Sequence, residues 1–320
     1  MRILLTGGAG FIGSHLAERL GRRGDSVVIV DDFNDYYSVR LKRSNAETAL
    51  AAGDVEIAEG DIRDGSFLKG VFEGARFDCI VHLAARAGVR PSLADPHLYI
   101  DVNLHGTLNV LDCARREEVS RLVFASSSSV YGRDPTPFRE DACADRPVSP
   151  YGATKRAGEV LLASYHHLYG LRATSLRFFT VYGPRQRPDM AIHKFTRSVL
   201  KGETLTMFGD GSSARDYTYI DDIIDGLTAA VDADLEWDII NLGNSTPVRL
   251  VEMIDTISRA AGKEAHIQRL GDQPGDVPAT CADIQKAGEV LGFKPRVSFE
   301  EGIGRFVAWY KRASEDGLVS

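Results

Sequence analysis

The chain has 320 residues, 43% hydrophobic and 26% charged, the balance of a globular protein with room for about two domains. Its net charge of −7 excludes a general nucleic-acid-binding or membrane-binding surface. No apolar run approaches the roughly 18 residues that span a bilayer, and Ile3-Leu4-Leu5 is too short for a signal peptide. Four cysteines (Cys79, Cys113, Cys143, Cys281) without CxxC spacing point to reduced thiols and a cytoplasmic location.

The first half alternates short apolar runs with amphipathic stretches. Arg2–Thr6, Val27–Val30, Val55–Ala58, Cys79–Ala84, Leu122–Ala125 and Thr174–Leu176 read as buried parallel strands. The intervals are long enough for crossover helices, which predicts an α/β doubly wound parallel sheet of the Rossmann type. Past about residue 177 the pattern loosens into Gly/Pro punctuation (Gly183-Pro184, Gly209-Asp210-Gly211, Gln273-Pro274-Gly275). A first domain over 1–176 and a second, smaller α/β domain over 177–320 are expected, with segments near 216–245 returning to the first. Ligands in such folds bind outside the carboxyl ends of the strands, so loops from both halves should meet there.

Between the first two strands lies Thr6-Gly7-Gly8-Ala9-Gly10-Phe11-Ile12-Gly13. It satisfies both GxGxxG (Gly8, Gly10, Gly13) and GxxGxxG (Gly7, Gly10, Gly13). Glycines allow the tight turn and let backbone N–H groups reach a pyrophosphate at a helix N-terminus. A glycine pattern alone is weak, but here a strand precedes it, a helix follows it, and the second strand ends in Asp31, 18 residues after Gly13. An acid there accepts from ribose hydroxyls and repels a 2′-phosphate, so NAD is expected rather than NADP. Asp61-Ile62 follows the third strand, where adenine-flanking and helix-capping readings of Asp61 both stand.

Four serines, Ser126 to Ser129, end the fifth strand and lead into Val130-Tyr131-Gly132, and no carboxylate stands among them. Downstream, Ser149 and Pro150 read as N-cap and first position of a helix. That places Tyr151 and Lys155, at i and i+4, on one face. A phenol with its ordinary pKa of about 10 is a poor base, and a nearby ammonium favours the phenolate. Most such pairs are solvated helix faces; the upstream NAD loop and the hydroxyls favour catalysis here. The histidines show no metal spacing, and adjacent His166 and His167 do not share a helix face, so no metal is expected.

Taken together, Thr6-GGAGFIG-Gly13, SSSSVYG (126–132) and Tyr151-x-x-x-Lys155 resemble the extended short-chain dehydrogenase/reductases, the NAD-dependent epimerase/dehydratase family, that act on nucleotide sugars. His82-LAARAGVRPS-Ser92, Arg177-FFTVYGPRQRPDM-Met190, Arg215-DYTYIDD-Asp222 and Gln273-PGDVPATCAD-Asp283 are similar to its UDP-glucuronate 4-epimerase branch. The resemblance covers nearly the whole chain. It implies that NAD stays bound, that tyrosinate takes the C4 hydroxyl proton, and that hydride leaves C4 and returns to its other face. Tyr151, Lys155 and Ser127 are the implied catalytic residues, with Ser127 on the reacting sugar oxygen. The implied cofactor set is Gly7, Gly10, Phe11, Ile12, Gly13, Asp31, Asn34, Asp61, Ile62, Leu83, Ala84, Ala85, Asn103, Tyr151 and Lys155. Asn103 resembles a family position that braces the backbone beside the cofactor. A homodimer through helices near Pro96–Arg115 and Pro150–Tyr169 is also implied.

Departures within the family sharpen the expectation. The 4,6-dehydratases carry Asp-Glu where this chain has Ser128 and Ser129, and elimination across C5–C6 needs an acid and a base. UDP-glucuronate decarboxylases usually carry Glu in place of Ser129. UDP-glucose 4-epimerases carry Asn in place of Thr180 and Arg in place of Gln273. These differences favour a uronate over UDP-glucose or UDP-N-acetylhexosamine, which remain the alternatives, with decarboxylation the other possible outcome. Oxidised at C4, glucuronate is a β-keto acid that loses CO₂ fastest when the carboxylate bond stands perpendicular to the carbonyl plane. Ser128, Ser129 and Thr180 are expected to hold the carboxylate away from that alignment, with Arg185 supplying charge. Arg215, Arg90 and Asp276 are expected at the nucleotide end.

Overall fold

The computed structural model describes residues 1–271 and 277–319. Its strands, in chain order, are β1 (Arg2–Thr6), β2 (Ser26–Asp31), β3 (Val55–Glu59), β4 (Cys79–His82), β5 (Arg121–Ser127), β6 (Arg172–Phe178), β7 (Thr180–Tyr182), β8 (Thr204–Phe208), β9 (Ala214–Tyr219), β10 (Trp237–Leu242), β11 (Pro247–Arg249) and β12 (His266–Leu270). One parallel sheet runs in the order β10-β6-β5-β4-β1-β2-β3. The order reverses beside β1, whose neighbours are β2 and β4. A crevice opens at such a switch point, beyond the strands' carboxyl ends.

The strand residues feed two cores because successive side chains leave opposite faces. Ile3, Leu5, Val27, Ile29, Val81 and Val123 join one cluster. Leu4, Val28, Val30, Ile80, Leu122 and Phe124 join the other, with Leu68, Phe72, Leu111 and Leu162 from covering helices. The first cluster continues without a break into the second half of the chain through Met207, Tyr217, Met253, Phe299 and Phe306. That half adds a β11-β9-β7 sheet and a β12-β8 pair. The chain then returns to the large sheet at β10, whose Trp237–Leu242 pairs in parallel with β6.

Three local departures from the expected elements matter for the site. β4 stops at His82, two residues short of the expected end, so Leu83–Ala85 leave the sheet while the Leu83 N–H still donates to the Thr6 carbonyl, 3.1 Å. β5 runs on through Ser127, because the ladder continues through Ser126↔Arg177 and Ser127↔Phe178. The helix expected over Pro96–Arg115 is broken into Pro96–Ile100, a π-turn at Asp101–His105, and Gly106–Arg116. Single π-turns inside helices recur at functional sites because the extra residue re-aims side chains.

Candidate active site

A cleft of about 430 Å³ opens at the carboxyl ends of the large sheet. The glycine loop forms its first wall. Gly7 has φ +73°, and a Cβ on it would lie 2.7 Å from the Ala84 nitrogen. A Cβ on Gly13 would lie 2.2 Å from the Gly7 carbonyl oxygen. No side chain caps the helix that follows, Phe11–Arg23, and its first turn holds no acid. Its free N–H groups and positive dipole end therefore face the cleft, a fitting seat for a pyrophosphate.

Asp31 lines the cleft at the end of β2. Its carboxylate accepts from the Ala9 and Phe33 N–H groups, each at 3.0 Å, which ties the glycine loop to the strand. Burial pushes its pKa up, and the Phe33 and Ala9 N–H donors oppose that shift. A carboxylate has about four acceptor sites, so two remain for ribose hydroxyls. The cofactor residues expected from the sequence, Gly7, Gly10, Phe11, Ile12, Gly13, Asp31, Asn34, Asp61, Ile62, Leu83, Ala84, Ala85, Tyr151 and Lys155, all border this one cleft. Asp61 is not a helix cap: Asp64 caps the Gly65–Phe72 helix, and Asp61 accepts from the Arg63 N–H at 2.8 Å. Asn103, expected in the same set, does not border the cleft and lies behind its wall. Its carboxamide oxygen accepts from the Arg86 N–H (2.8 Å) and its NH₂ donates to the Arg86 carbonyl (3.0 Å).

Ser149 caps the Pro150–Tyr169 helix through the Gly152 N–H, 3.1 Å, with Pro150 in its first turn, which turns Tyr151 and Lys155 toward the end of β5. Tyr151 is hydrogen-bonded to Ser127 and packs edge-on to Tyr99 at 6.2 Å. Burial pushes the Tyr151 phenol above its ordinary pKa, while the Ser127 hydrogen bond and the Arg187 charge pull it down. Lys155 donates to the Ala125 carbonyl at 2.8 Å, and burial lowers its pKa to about 7. Arg187 thus joins Lys155 as a cation at this site.

The serine run divides. Ser127 accepts from the Ser129 N–H at 3.2 Å, where the chain turns into the 3₁₀ segment Ser128–Tyr131. Ser128, Ser129 and Thr180 border the cleft beside Tyr151. Ser126 donates beneath the floor to Glu159, 2.6 Å. A carboxylate therefore does stand next to the serine run, brought 33 residues along the chain by the Pro150–Tyr169 helix. It is held by Arg177 through two bonds of 2.8 and 2.9 Å and by Arg156 at 3.0 Å. Such paired, buried charge is fixed in place and unavailable as a base.

Arg185 does not border the cleft. Its φ of +66° turns it away from the cleft, and its guanidinium bonds Glu18 at 2.9 Å on the Phe11–Arg23 helix. Arg187, two residues on, borders the cleft instead, held by Asp189 at 2.9 and 2.8 Å and lying over the Tyr36 ring at 5.7 Å. The sequence reading missed Arg187, and also Tyr36, Tyr37, Lys42 and Arg86, which border the cleft. The motif around Arg185 contains both arginines, so only the backbone turn separates them. Lys42 donates to the Asn34 carbonyl at 2.7 Å, and burial lowers its pKa. Arg90 rests its guanidinium over Phe208 at 5.3 Å, and Arg215 donates to the Ala214 carbonyl at 2.9 Å; neither borders the cleft among the described residues. Asp276 and Gln273 lie outside the described residues.

A doubly wound sheet with this glycine loop, and a tyrosine, lysine and serine gathered at its carboxyl edge, define a Rossmann-fold enzyme of the short-chain dehydrogenase/reductase type. The profile of the GDP-mannose 4,6 dehydratase family matches residues 4–306, and the chain belongs to that family. It is 43% identical over 313 residues to a UDP-glucuronate 4-epimerase of Thermodesulfobacterium geofontis, covering 98% of this chain and 97% of that one. Its fold superposes with a TM-score of 0.92 on the UDP-glucuronic acid 4-epimerase of Bacillus cereus, crystallised with UDP-glucuronic acid and NAD, at 36% identity over 98% of this chain and 99% of that one. A UDP-glucose 4-epimerase of Thermus thermophilus, crystallised with NAD, superposes with a TM-score of 0.89 at 35% identity, covering 98% and 100% of the two chains.

Proposed function

We propose that this chain is an NAD-dependent UDP-glucuronate 4-epimerase that interconverts UDP-glucuronate and UDP-galacturonate without loss of CO₂. The observation that carries the reading is one cleft holding Tyr151, Ser127, the hydroxyls of Ser128, Ser129 and Thr180, and Arg187, with no acid at 128 or 129. The near-full-length similarity to proteins of that name supports it.

NAD fits the residues present: the uncapped Phe11–Arg23 helix for its pyrophosphate and Asp31 for its adenosine ribose. When bound, it accepts hydride from C4 and returns it. Tyr151 removes the C4 hydroxyl proton as phenolate and gives it back after the ring has turned; Ser127 orients the reacting oxygen. Burial pushes the Tyr151 phenol above its ordinary pKa, so positive charge beside it is needed to free the base. Ser128, Ser129 and Thr180 donate to the substrate carboxylate and keep its bond near the carbonyl plane. Arg187 supplies the countercharge assigned from sequence to Arg185. Arg90, Arg215 and Asp276 stay our candidates for the nucleotide.

Residues 1–176 supply the cofactor half and, through Ser127, Ser128, Ser129 and Tyr151, part of the sugar half; residues from 177 onward add Thr180 and Arg187. Ile100, Leu108, Val160, Leu168 and Tyr169 are exposed on the helices expected to pair in a homodimer. Among the described residues no helix is long and apolar enough to cross a membrane. The four free cysteines support our assignment to a reducing, cytoplasmic setting. Incubation with UDP-glucuronate, resolved by proton NMR into UDP-galacturonate, UDP-pentose and remaining substrate, tests the function. UDP-galacturonate as the main product is expected; turnover of UDP-glucose but not of UDP-glucuronate overturns it.

A further inference from the structure

His82 ends β4 behind the cleft, 1% exposed, and takes no part in the chemistry above. It sits in an unbroken line of hydrogen bonds whose directions are all forced. Thr107 lies 2.6 Å from the Asn103 carbonyl, which can only accept, so the single Thr107 hydroxyl proton points there. Toward His82 Nε2, 2.9 Å away, Thr107 can then only accept, and Nε2 carries the hydrogen. Burial and the Lys155 charge hold the ring neutral, lowering its pKa to about 3. Nδ1 is therefore bare and accepts from the Thr6 hydroxyl at 2.7 Å. Thr6 in turn accepts from the Ala84 N–H, 3.2 Å, on the segment that touches Gly7.

The other end is equally determined. Asn103 sits in the π-turn with its orientation fixed, because its oxygen must face the Arg86 N–H. Its NH₂ donates to Thr154 Oγ1 at 3.0 Å, and Thr154 donates to the carbonyl of Tyr151 itself, 2.9 Å. The line thus runs from the cofactor wall at Ala84 and Thr6, through His82, Thr107 and the π-turn, to the backbone of Tyr151.

We propose that His82, as the neutral Nε2–H tautomer, is a positioning residue that couples the cofactor wall to the helix turn carrying Tyr151; its kinetic part rests on the epimerase reading. The imidazole is suited to this because it presents a donor and an acceptor on opposite edges of one rigid ring. The π-turn is the element it holds. Losing the bolt lets Asn103 and Thr154 relax and moves Tyr151 relative to the nicotinamide seat without removing any group that touches substrate. Small displacements of a base lower turnover more than substrate binding.

The test has two arms on the NAD-loaded full-length enzyme. Nitrogen-15 NMR of histidine-labelled protein should show one ring in the Nε2–H pattern at neutral pH that disappears in His82→Phe and shifts in Thr107→Val. If His82 is the Nδ1–H tautomer or an imidazolium, the assignment is overturned. In the kinetic arm, Thr107→Val should lower kcat about tenfold with KM for UDP-glucuronate within about twofold, and Thr107→Ser should restore kcat. Wild-type kcat in Thr107→Val, or no rescue by serine, overturns the positioning role. Failure of the wild-type enzyme to turn over UDP-glucuronate overturns the epimerase reading instead, and the NMR arm still decides the tautomer.

Discussion

The two walls of the cleft are built by different means. The cofactor wall is backbone: a glycine loop in which a Cβ on Gly7 or Gly13 would collide with main chain, an uncapped helix end, and an aspartate fastened to the loop's Ala9 N–H. The sugar wall is side chain: hydroxyls at the end of β5 and on β7, a tyrosine from a helix, and an arginine from the loop after β7. Backbone walls tolerate almost no substitution, whereas side-chain walls can change their chemistry residue by residue. A family can therefore keep one cofactor and diverge in what it does to the sugar.

Breaking the sugar wall at its base should have the largest effect. Tyr151→Phe is expected to lower kcat by about 10³-fold while bound NAD is retained, measured by product NMR and by absorbance of the released cofactor. Retained turnover would remove Tyr151 from the mechanism. The matching break in the cofactor wall is Gly13→Ala, whose Cβ would meet the Gly7 carbonyl at 2.2 Å. Displacing that backbone costs roughly 1–3 kcal/mol, so NAD affinity by calorimetry should fall about 10- to 100-fold. Unchanged affinity would mean that the loop is not the seat.

Arg187→Gln sharpens the comparison further. Removing positive charge beside Tyr151 raises the phenol's pKa, so the rising limb of the kcat pH profile should move to higher pH, with several-fold more UDP-pentose per epimer. Arg185→Gln should leave that partition unchanged, since its guanidinium faces Glu18. Thr180→Val should raise the UDP-pentose share by a few fold, and an unaltered share would sink the carboxylate assignment.

The smallest effect concerns stability. Burial lowers the pKa of His15 to about 4, of His82 to about 3 and of His193 to about 4. Each folded value lies below the unfolded value of about 6.5. The unfolded chain therefore binds protons that the folded one does not as pH falls from about 6.5 toward 4. Stability is fully present above that window and lost through it, so the melting temperature should drop across the range. A flat profile would contradict the neutral burial of these rings.

What was legible in the sequence follows the same division. The glycine loop, Asp31 and the capped Tyr151–Lys155 helix are local patterns, and local sterics and hydrogen bonding write them directly into residue order. Glu159 was not legible as a neighbour of Ser126, because the helix phase and strand register that join them are tertiary. Arg185 and Arg187 share one motif and differ only in backbone handedness, to which residue type gives no clue. The π-turn at Asp101–His105 likewise lies inside a run with ordinary helical spacing.

The floor under the serines has a consequence for how the enzyme could be changed. Two guanidiniums, Arg156 and Arg177, share the single carboxylate of Glu159, and Arg177 Nη1 is buried without a partner. The floor beneath Ser126 thus sets two guanidiniums against one carboxylate. Removing Glu159 would leave the buried Arg177 unpaired, so changes to the sugar chemistry belong on the cleft surface and not in the floor.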